Sequence, residues 1–194
     1  GNEMKTMFLD TSTNLLYVSF VIDNKVVYEV KSEGLNNHSD YLLKYIEEGL
    51  NKLSLQVKDF DNFVVGIGPG AYTGLRVSLA VAKMFAWTLN LPLYTISSLD
   101  LLTSGICQDG EYAICFKAKK DYSYFKTIKI QNGKKTKSKE EFLSNYEIDE
   151  KIDFTKYIKI THENMQIDVL NVTQDELTKV ENIHALEPNY LRAC

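Results

Sequence analysis

The chain has 194 residues, 44% hydrophobic and 25% charged, which suits one large domain or two small lobes and excludes disorder and fibrous repeats. A net charge of −4 excludes nucleic-acid binding by bulk charge, and three separated cysteines (Cys107, Cys115, Cys194) suit a reducing compartment rather than a disulfide framework. No basic flank leads into an apolar signal core, and the longest apolar segment, 75–89, is broken by Arg76 and Lys83 and too short for a membrane span, so the expectation is a soluble, cytoplasmic protein.

Gly1-Asn2-Glu3 precede Met4 and are set aside. Thr6 to Asp10, Leu15 to Ile22 and Lys25 to Val30 read as three strands, the last two joined by a tight Asp23-Asn24 turn. Ser39 is placed to cap a helix running to about Leu53, with Leu42, Leu43, Ile46, Leu50 and Leu53 on one stripe and Tyr41 and Tyr45 beside it. Asn62 to Ile67 predicts a buried strand, followed by a glycine-rich turn and a long helix from Thr73 to Asn90. Pro92 to Ser97 predicts a further strand and Ser98 opens a short helix to Ile106. The order βββ-α-β-α-β is that of a ribonuclease-H-like unit, an antiparallel meander followed by parallel strands with right-handed crossovers. Beyond it, Tyr112 to Lys117, Ser123 to Gln131 and Lys156 to Ile160 read as strands and Lys139 to Ser144 as a helical turn, which divides the chain into lobes at 4–106 and 107–194.

Charge is uneven along this order. Residues 117–139 hold nine lysines against one acid, Asp121, while the segments on either side are acidic. Two readings stay open: a solvated hairpin, since Asn132-Gly133 favours a type I′ turn, or lysines that meet RNA phosphate.

The long helix is apolar on more than one side. At 100° per residue Gly74, Val77, Ser78, Val81 and Phe85 share a face assigned to the sheet, which leaves Leu75, Arg76, Leu79, Ala80, Lys83, Ala86 and Trp87 opposite. Leu75, Leu79 and Trp87 would then form an exposed apolar patch of the kind that marks a contact surface, or be covered by the second lobe. Covering each large side chain is worth roughly 1.5–3 kcal/mol.

Gly66-Ile67-Gly68-Pro69-Gly70-Ala71-Tyr72-Thr73-Gly74-Leu75-Arg76 sets small residues before a helix N-terminus, where free amides can hold an anion. It fits neither the dinucleotide nor the Walker spacing. Asp10-Thr11-Ser12-Thr13 ends the first strand where actin-like ATPases and sugar kinases carry Asp-x-Gly-Ser/Thr; Ser12 replaces the glycine, and glycine is absent after residue 133. The residual phosphate loop therefore comprises Asp10, Thr11, Ser12, Thr13, Gly68, Gly70, Thr73 and Gly74, half of a nucleotide clamp.

These segments, with His38-Ser39, Leu91-Pro92, Ser97-Ser98-Leu99 and the closing Pro188-Asn189-Tyr190-Leu191-Arg192, resemble the bacterial TsaB (YeaZ) family over residues 6–102 and in patches beyond. The resemblance implies an α/β, actin-like (ASKHA) fold of two lobes, the second reduced, without catalysis or metal of its own. It further implies a partner, TsaD, that performs threonylcarbamoyl transfer to the adenosine beside the tRNA anticodon, with the ATPase TsaE joining the complex. The two first-lobe helices would dock on TsaD or on a second copy of the chain, which makes Tyr41, Tyr45, Leu75, Arg76, Leu79, Lys83 and Trp87 the expected interface. A nucleotide would sit near that junction, within reach of Arg76 or Lys83, and tRNA would be met indirectly or through Lys117, Lys119 and Lys120.

The sequence departs from the family where Lys117-Ala118-Lys119-Lys120-Asp121 replaces the usual Asp-Ala-Arg, reversing charge in the cleft, while Tyr124 is kept. Two enzyme readings compete. A nucleotide-dependent kinase needs a second phosphate loop. A glycoprotease-like peptidase needs H-E-x-x-H, and His162-Glu163-Asn164-Met165-Gln166 misses it at Gln166. His38, His162 and His184 are scattered in sequence, and Cys107 and Cys115 read as small core residues.

Overall fold

A computed structural model describes residues 3–34, 38–70 and 72–191. The meander forms as expected: β1 (Lys5–Asp10) pairs antiparallel with β2 (Leu15–Ile22), and β2 with β3 (Lys25–Glu33). Asp23 and Asn24, both at positive φ, close the β2–β3 hairpin in two residues. Two crossovers follow. The helix α1 (His38–Leu53) leads to β4 (Asn62–Gly66), parallel to β1, and α2 (Tyr72–Leu89) leads to β5 (Leu93–Ile96), parallel to β4. Since α1 starts at His38, Ser39 lies in its first turn rather than at its cap. The expected helix from Ser98 is a short one, α3 (Ser98–Leu102).

The second sheet is built on β6 (Gly110–Lys117) and β7 (Tyr122–Gln131), an antiparallel pair. The other edge of β7 is shared by β8 (Lys134–Lys137), paired to its far half, and β9 (Glu141–Ser144), paired to its near half. Asn132 and Gly133, at φ of 54° and 77°, make the β7–β8 turn that the dipeptide predicts. The expected helical turn at 139–144 is instead strand β9, because its backbone groups find partners on β7. Helix starts only after it, as α4 (Asn145–Lys151), with the Ser144 hydroxyl accepting from the Glu147 amide. Strand β10 (Ile158–Ile160) then lies parallel to β6.

The second sheet begins at Gly110, but the later residues do not all stay with it. After residue 160 the chain returns to the first lobe, where β11 (Thr178–Lys179) pairs with β5 and gives the order β11-β5-β4-β1-β2-β3. Val180, Ile183 and Leu186 then pack against the first-lobe core.

Both faces of the first sheet are buried, as strand alternation requires when each is covered. Met7, Leu9, Val18, Phe20, Phe63 and Val65 meet α1 and α2 through Leu42, Ile46, Leu79, Ala82 and Ala86. On the opposite face Phe8, Tyr17, Val64 and Ile96 join α3 and the second sheet in one cluster that includes Ile114, Phe116, Ile128 and Ile130. The second sheet's other face, with Ala113, Cys115 and Phe125, is covered by Ile148 in the middle of α4 and Ile152 just after it.

Leu75 and Leu79 are therefore core residues, not an outward patch. The face that meets the sheet is Leu75, Ser78, Leu79, Ala82 and Ala86, all buried. This set lies one residue, or about 100° of rotation, from the face the periodicity suggested.

Candidate functional site

The loop after β1 and the turn before α2 lie directly on one another. The Thr11 hydroxyl donates to the Gly74 carbonyl at 2.5 Å and accepts from the Ser78 amide at 2.9 Å, while the Thr11 amide donates to the Ser78 hydroxyl at 3.2 Å. A side chain on Gly74 would place its Cβ 2.7 Å from the Thr11 carbonyl oxygen, so close approach of the two backbones requires glycine there. The Ser98 hydroxyl accepts from the Gly68 amide at 2.9 Å. Ser78, a single polar residue in an apolar run, does not stand out in the sequence as part of this loop, and Ser98 reads only as the start of a helix and as part of Ser97-Ser98-Leu99.

Asp10 is fully buried. Its Oδ1 accepts from the Ser12 amide at 2.8 Å and the Ser12 hydroxyl at 2.6 Å. Its Oδ2 is buried without a hydrogen bond of good geometry, although the Ser98 hydroxyl is near enough to temper its charge. Burial pushes the Asp10 pKa up, and the bonds from Ser12 and Ser98 only partly oppose it. The Thr11 and Ser12 amides and Asp10 Oδ1 are thus bonded within the chain, while Asp10 Oδ2 is not.

Above this floor opens a cleft of about 930 Å³ between the lobes. The first lobe contributes Ser12, Thr13, Asn14, His38, Ser39, Pro69, Gly70, Thr73, Gly74 and Val77; the second contributes Phe116, Lys117, Ala118, Lys119, Tyr124, Phe142 and His162. Of the expected loop residues, Ser12, Thr13, Gly70, Thr73 and Gly74 line it, whereas Asp10, Thr11 and Gly68 lie beneath it. His38 and His162, far apart in sequence, share its wall. The His38 Nε2 donates to the Thr13 carbonyl at 2.8 Å, which fixes the proton on that nitrogen. His162 stacks on Phe116 with ring centroids 4.8 Å apart, and burial followed by the charge of Lys117 lowers its pKa. The Tyr124 hydroxyl spans the lobes to donate to the Gly70 carbonyl at 3.1 Å. The aromatic wall escaped the sequence reading because its members come from three separate strands and loops. Among the described residues no group of three His, Cys, Asp or Glu side chains gathers as a metal site.

The lysine-rich run is not one patch. Strand β7 separates the lysines of the turn before it from those of the turn after it by about 30 Å at strand rise. Lys117 and Lys119 face the cleft and Lys120 is exposed in the adjoining turn. Lys126 is buried, bonded to Asp100 at 2.9 Å and Glu140 at 3.0 Å. Lys137 pairs with Asp100 at 3.1 Å and with Glu176; these carboxylates raise its pKa against the opposing effect of burial.

Outside the cleft, the second candidate surface is the outer side of α1 and α2. Tyr41 is 38% exposed, Leu43 47%, Met84 48% and Trp87 60%, and a shallow groove lined by Ser39, Leu42, Leu43, Arg76, Val77, Ala80 and Val81 runs between the helices. Tyr45 is half-buried, its hydroxyl 3.3 Å from that of Ser32. The chain's final segment straps one flank of α2. Trp87 meets the His184 ring edge-on at 4.1 Å, the Lys83 ammonium donates to the Leu186 carbonyl at 2.8 Å, and the Arg76 Nε donates to the Tyr190 hydroxyl at 2.8 Å. Arg76 and Lys83, expected to approach a nucleotide at a junction, are engaged with this segment. No helix among the described residues is long and apolar enough to cross a membrane.

The family described as TsaD, tRNA N6-adenosine threonylcarbamoyltransferase, matches residues 29–181, well over half of the chain. The chain is similar to the tRNA threonylcarbamoyladenosine biosynthesis protein TsaB of Bacillus subtilis, 30% identical over 131 residues, covering 67% of this chain and 57% of that protein. It is also similar to TsaB of Buchnera aphidicola subsp. Baizongia pistaciae, 36% identical over 90 residues, covering 46% of this chain and 40% of the relative. It spans about half the length of the curated relatives it matches. In fold it is like YeaZ from Pseudomonas aeruginosa, with a TM-score of 0.65 and 24% identity, over 73% of this chain and 68% of that one. The meander, the two parallel crossovers and the second sheet are those of the actin-like fold. With the family match across most of its length and relatives that carry the TsaB name, the chain belongs to the TsaD family of tRNA N6-adenosine threonylcarbamoyltransferases and, within it, to the TsaB (YeaZ) group.

Proposed function

We propose that this chain is a non-catalytic subunit in the synthesis of threonylcarbamoyladenosine in tRNA, acting in the cytoplasm by docking α1 and α2 onto TsaD, which carries the transfer. The observation that carries this reading is the apolar surface left on those helices. Each has already given one face to the sheet, yet Tyr41, Leu43, Met84 and Trp87 remain exposed around a mostly apolar groove. A facing helix pair of TsaD, or of a second copy when TsaD is absent, covers that strip. The interface is thus Tyr41, Tyr45, Leu43, Ala80, Met84 and Trp87 rather than Leu75 and Leu79. TsaE joins the assembly, and tRNA is met indirectly or through Lys117, Lys119 and Lys120.

The non-catalytic reading is supported by the loops at the cleft floor. The Thr11 and Ser12 amides and Asp10 Oδ1 are bonded within the chain, so a kinase-like phosphate grip would have to break these bonds. The peptidase alternative has no comparable support, since His162 is stacked on Phe116 and position 166 is glutamine.

Co-purification with TsaD, read together with mass spectrometry of the modified nucleoside, tests the proposal. Leu43→Glu and Met84→Glu, at exposed positions, should preserve the circular-dichroism spectrum, abolish capture of TsaD and stop nucleoside formation. Capture at wild-type strength by the folded double variant would overturn it.

A further inference from the structure

We infer that Asn132-Gly133, the turn between β7 and β8, is a self-modification site that closes to a succinimide and opens to isoaspartate whenever the turn unlatches, and that Asp109 is its latch. Asn132-Gly133 is the one Asn-Gly pair in the sequence; every other asparagine precedes a residue with a side chain, which hinders approach of the next backbone nitrogen. Here the approach is open, since a Cβ added at Gly133 would meet no atom within 4 Å. Both residues are exposed, so water reaches them.

The chemistry balances within the chain and solvent. The Gly133 nitrogen bonds to the Asn132 Cγ and gives up its proton, and the side-chain nitrogen takes up a proton and leaves as ammonia, which produces a five-membered imide. Water then cleaves one of the two imide bonds. Opening at the main-chain carbonyl gives isoaspartate, and opening at the side-chain carbonyl gives aspartate.

The folded turn opposes the first bond. Asn132 and Gly133, at φ of 54° and 77°, form a primed two-residue turn. Such a turn has ψ of roughly 30° at its first residue, which sets the Gly133 nitrogen across the Cα–C bond from the Asn132 Cβ. The ring closes only after the turn opens, so the conversion rate follows the fraction of time spent open. Asp109, just before β6, keeps that fraction low. Its Oδ2 accepts from the Asn132 amide at 2.9 Å and its Oδ1 from the Gly133 amide at 3.3 Å. Bonds to a carboxylate are stronger than neutral ones, and the second one holds the proton that ring closure must shed.

The product cannot relatch. Isoaspartate routes the main chain through Cβ and lengthens a two-residue loop, and its new carboxylate meets Asp109 as a like charge. The pairs Gln131–Lys134 and Ile130–Lys135 beside the turn lose register first. Further along β8 lies Lys137, whose pairing with Asp100 ties that strand to α3. The inference is independent of the docking face and is read on the lone chain, so its failure leaves that surface untouched.

Incubation of the whole chain in mildly alkaline buffer, followed by peptide mapping in a mass spectrometer and methylation by a purified isoaspartate methyltransferase, is the test. The folded wild type should convert slowly at Asn132. Asp109→Ala should convert at least about tenfold faster, as should the wild type in urea, and Asp109→Asn, which keeps an acceptor without its charge, should fall between. Asp109 is exposed and outside both strands, so these variants should keep the wild-type circular-dichroism spectrum. Hydrogen exchange at the Gly133 amide reads the opening directly and should speed up in the same order. Asp109-Gly110 can rearrange by the same route but releases no ammonia, so the mass change assigns the event to Asn132. Equal conversion in folded wild type and Asp109→Ala, faster conversion at another asparagine, or none in urea overturns it.

Discussion

Lys119 and Lys126 lie in the same lysine-rich run, and their positions could hardly differ more. Lys119 faces the open cleft, while Lys126 is buried among Asp100 and Glu140. Lys119 sits in the turn between β6 and β7, outside either strand, whereas Lys126 shares the face of β7 that carries Ile128 and Ile130 into the seam between lobes, so its stem packs there and its ammonium needs internal partners. Composition marks a charged run; turn and pleat decide which members stay exposed and which hold the lobes together. The same contrast separates Leu79 from Met84 on α2 and Cys115 from Cys107 around β6.

Substitution of matched inner and outer residues sharpens this contrast. Leu79→Ala should lower unfolding free energy by about 2–5 kcal/mol in urea titration, whereas Met84→Ala should change it by less than about 0.5 kcal/mol. Equal losses would show that the buried face of α2 is wrongly placed. Lys126→Met leaves Glu140 without its ammonium and should cost about 3 kcal/mol, against a negligible change for Lys119→Met. Tyr124→Phe removes the bond to the Gly70 carbonyl and should cost about 1 kcal/mol, read as a small fall in the urea midpoint.

The smallest effect concerns the thiols. Burial pushes the Cys115 pKa up from 9.0 to about 11. The folded state therefore keeps a proton that the unfolded state loses, so this contribution is present below the ordinary thiol range and declines as pH rises through 9 to 11. Cys115→Ala should flatten that alkaline decline in denaturation midpoints. Thiol labelling at pH 8 should modify exposed Cys107 quickly and Cys115 only on unfolding.

Much of the first lobe was legible because its signals are local. Asp23-Asn24 dictates a two-residue turn, as Asn132-Gly133 does in the second lobe, and the β-former-rich run Leu15–Ile22 and the apolar run at Asn62–Gly66 mark strands. The rotation of α2 was not legible. Val77, Val81 and Phe85 compete with Leu75, Leu79 and Ala86 for the inner face, and Ser78, bonded to Thr11 across 67 residues of chain, belongs to both sets, so only the packed core separates them. Likewise β9 and β11 are recognisable only by their partners, β7 and β5. At the site, the loop segments could be read from their glycines, but the cleft's aromatic wall is assembled by the second sheet, and the strapping of Arg76, Lys83 and Trp87 by residues 184–190 is tertiary information alone.

The apolar seam that joins Tyr17, Leu99 and Leu102 to Ile114, Phe116, Ile128 and Ile130 has a mechanical consequence. Swinging the lobes apart like a clamshell would hydrate that entire seam and separate Lys126 from Asp100, so such a hinge motion is energetically closed to this molecule. Heating should therefore melt both halves together in one cooperative transition, and whatever enters the cleft must fit a mouth of nearly fixed width.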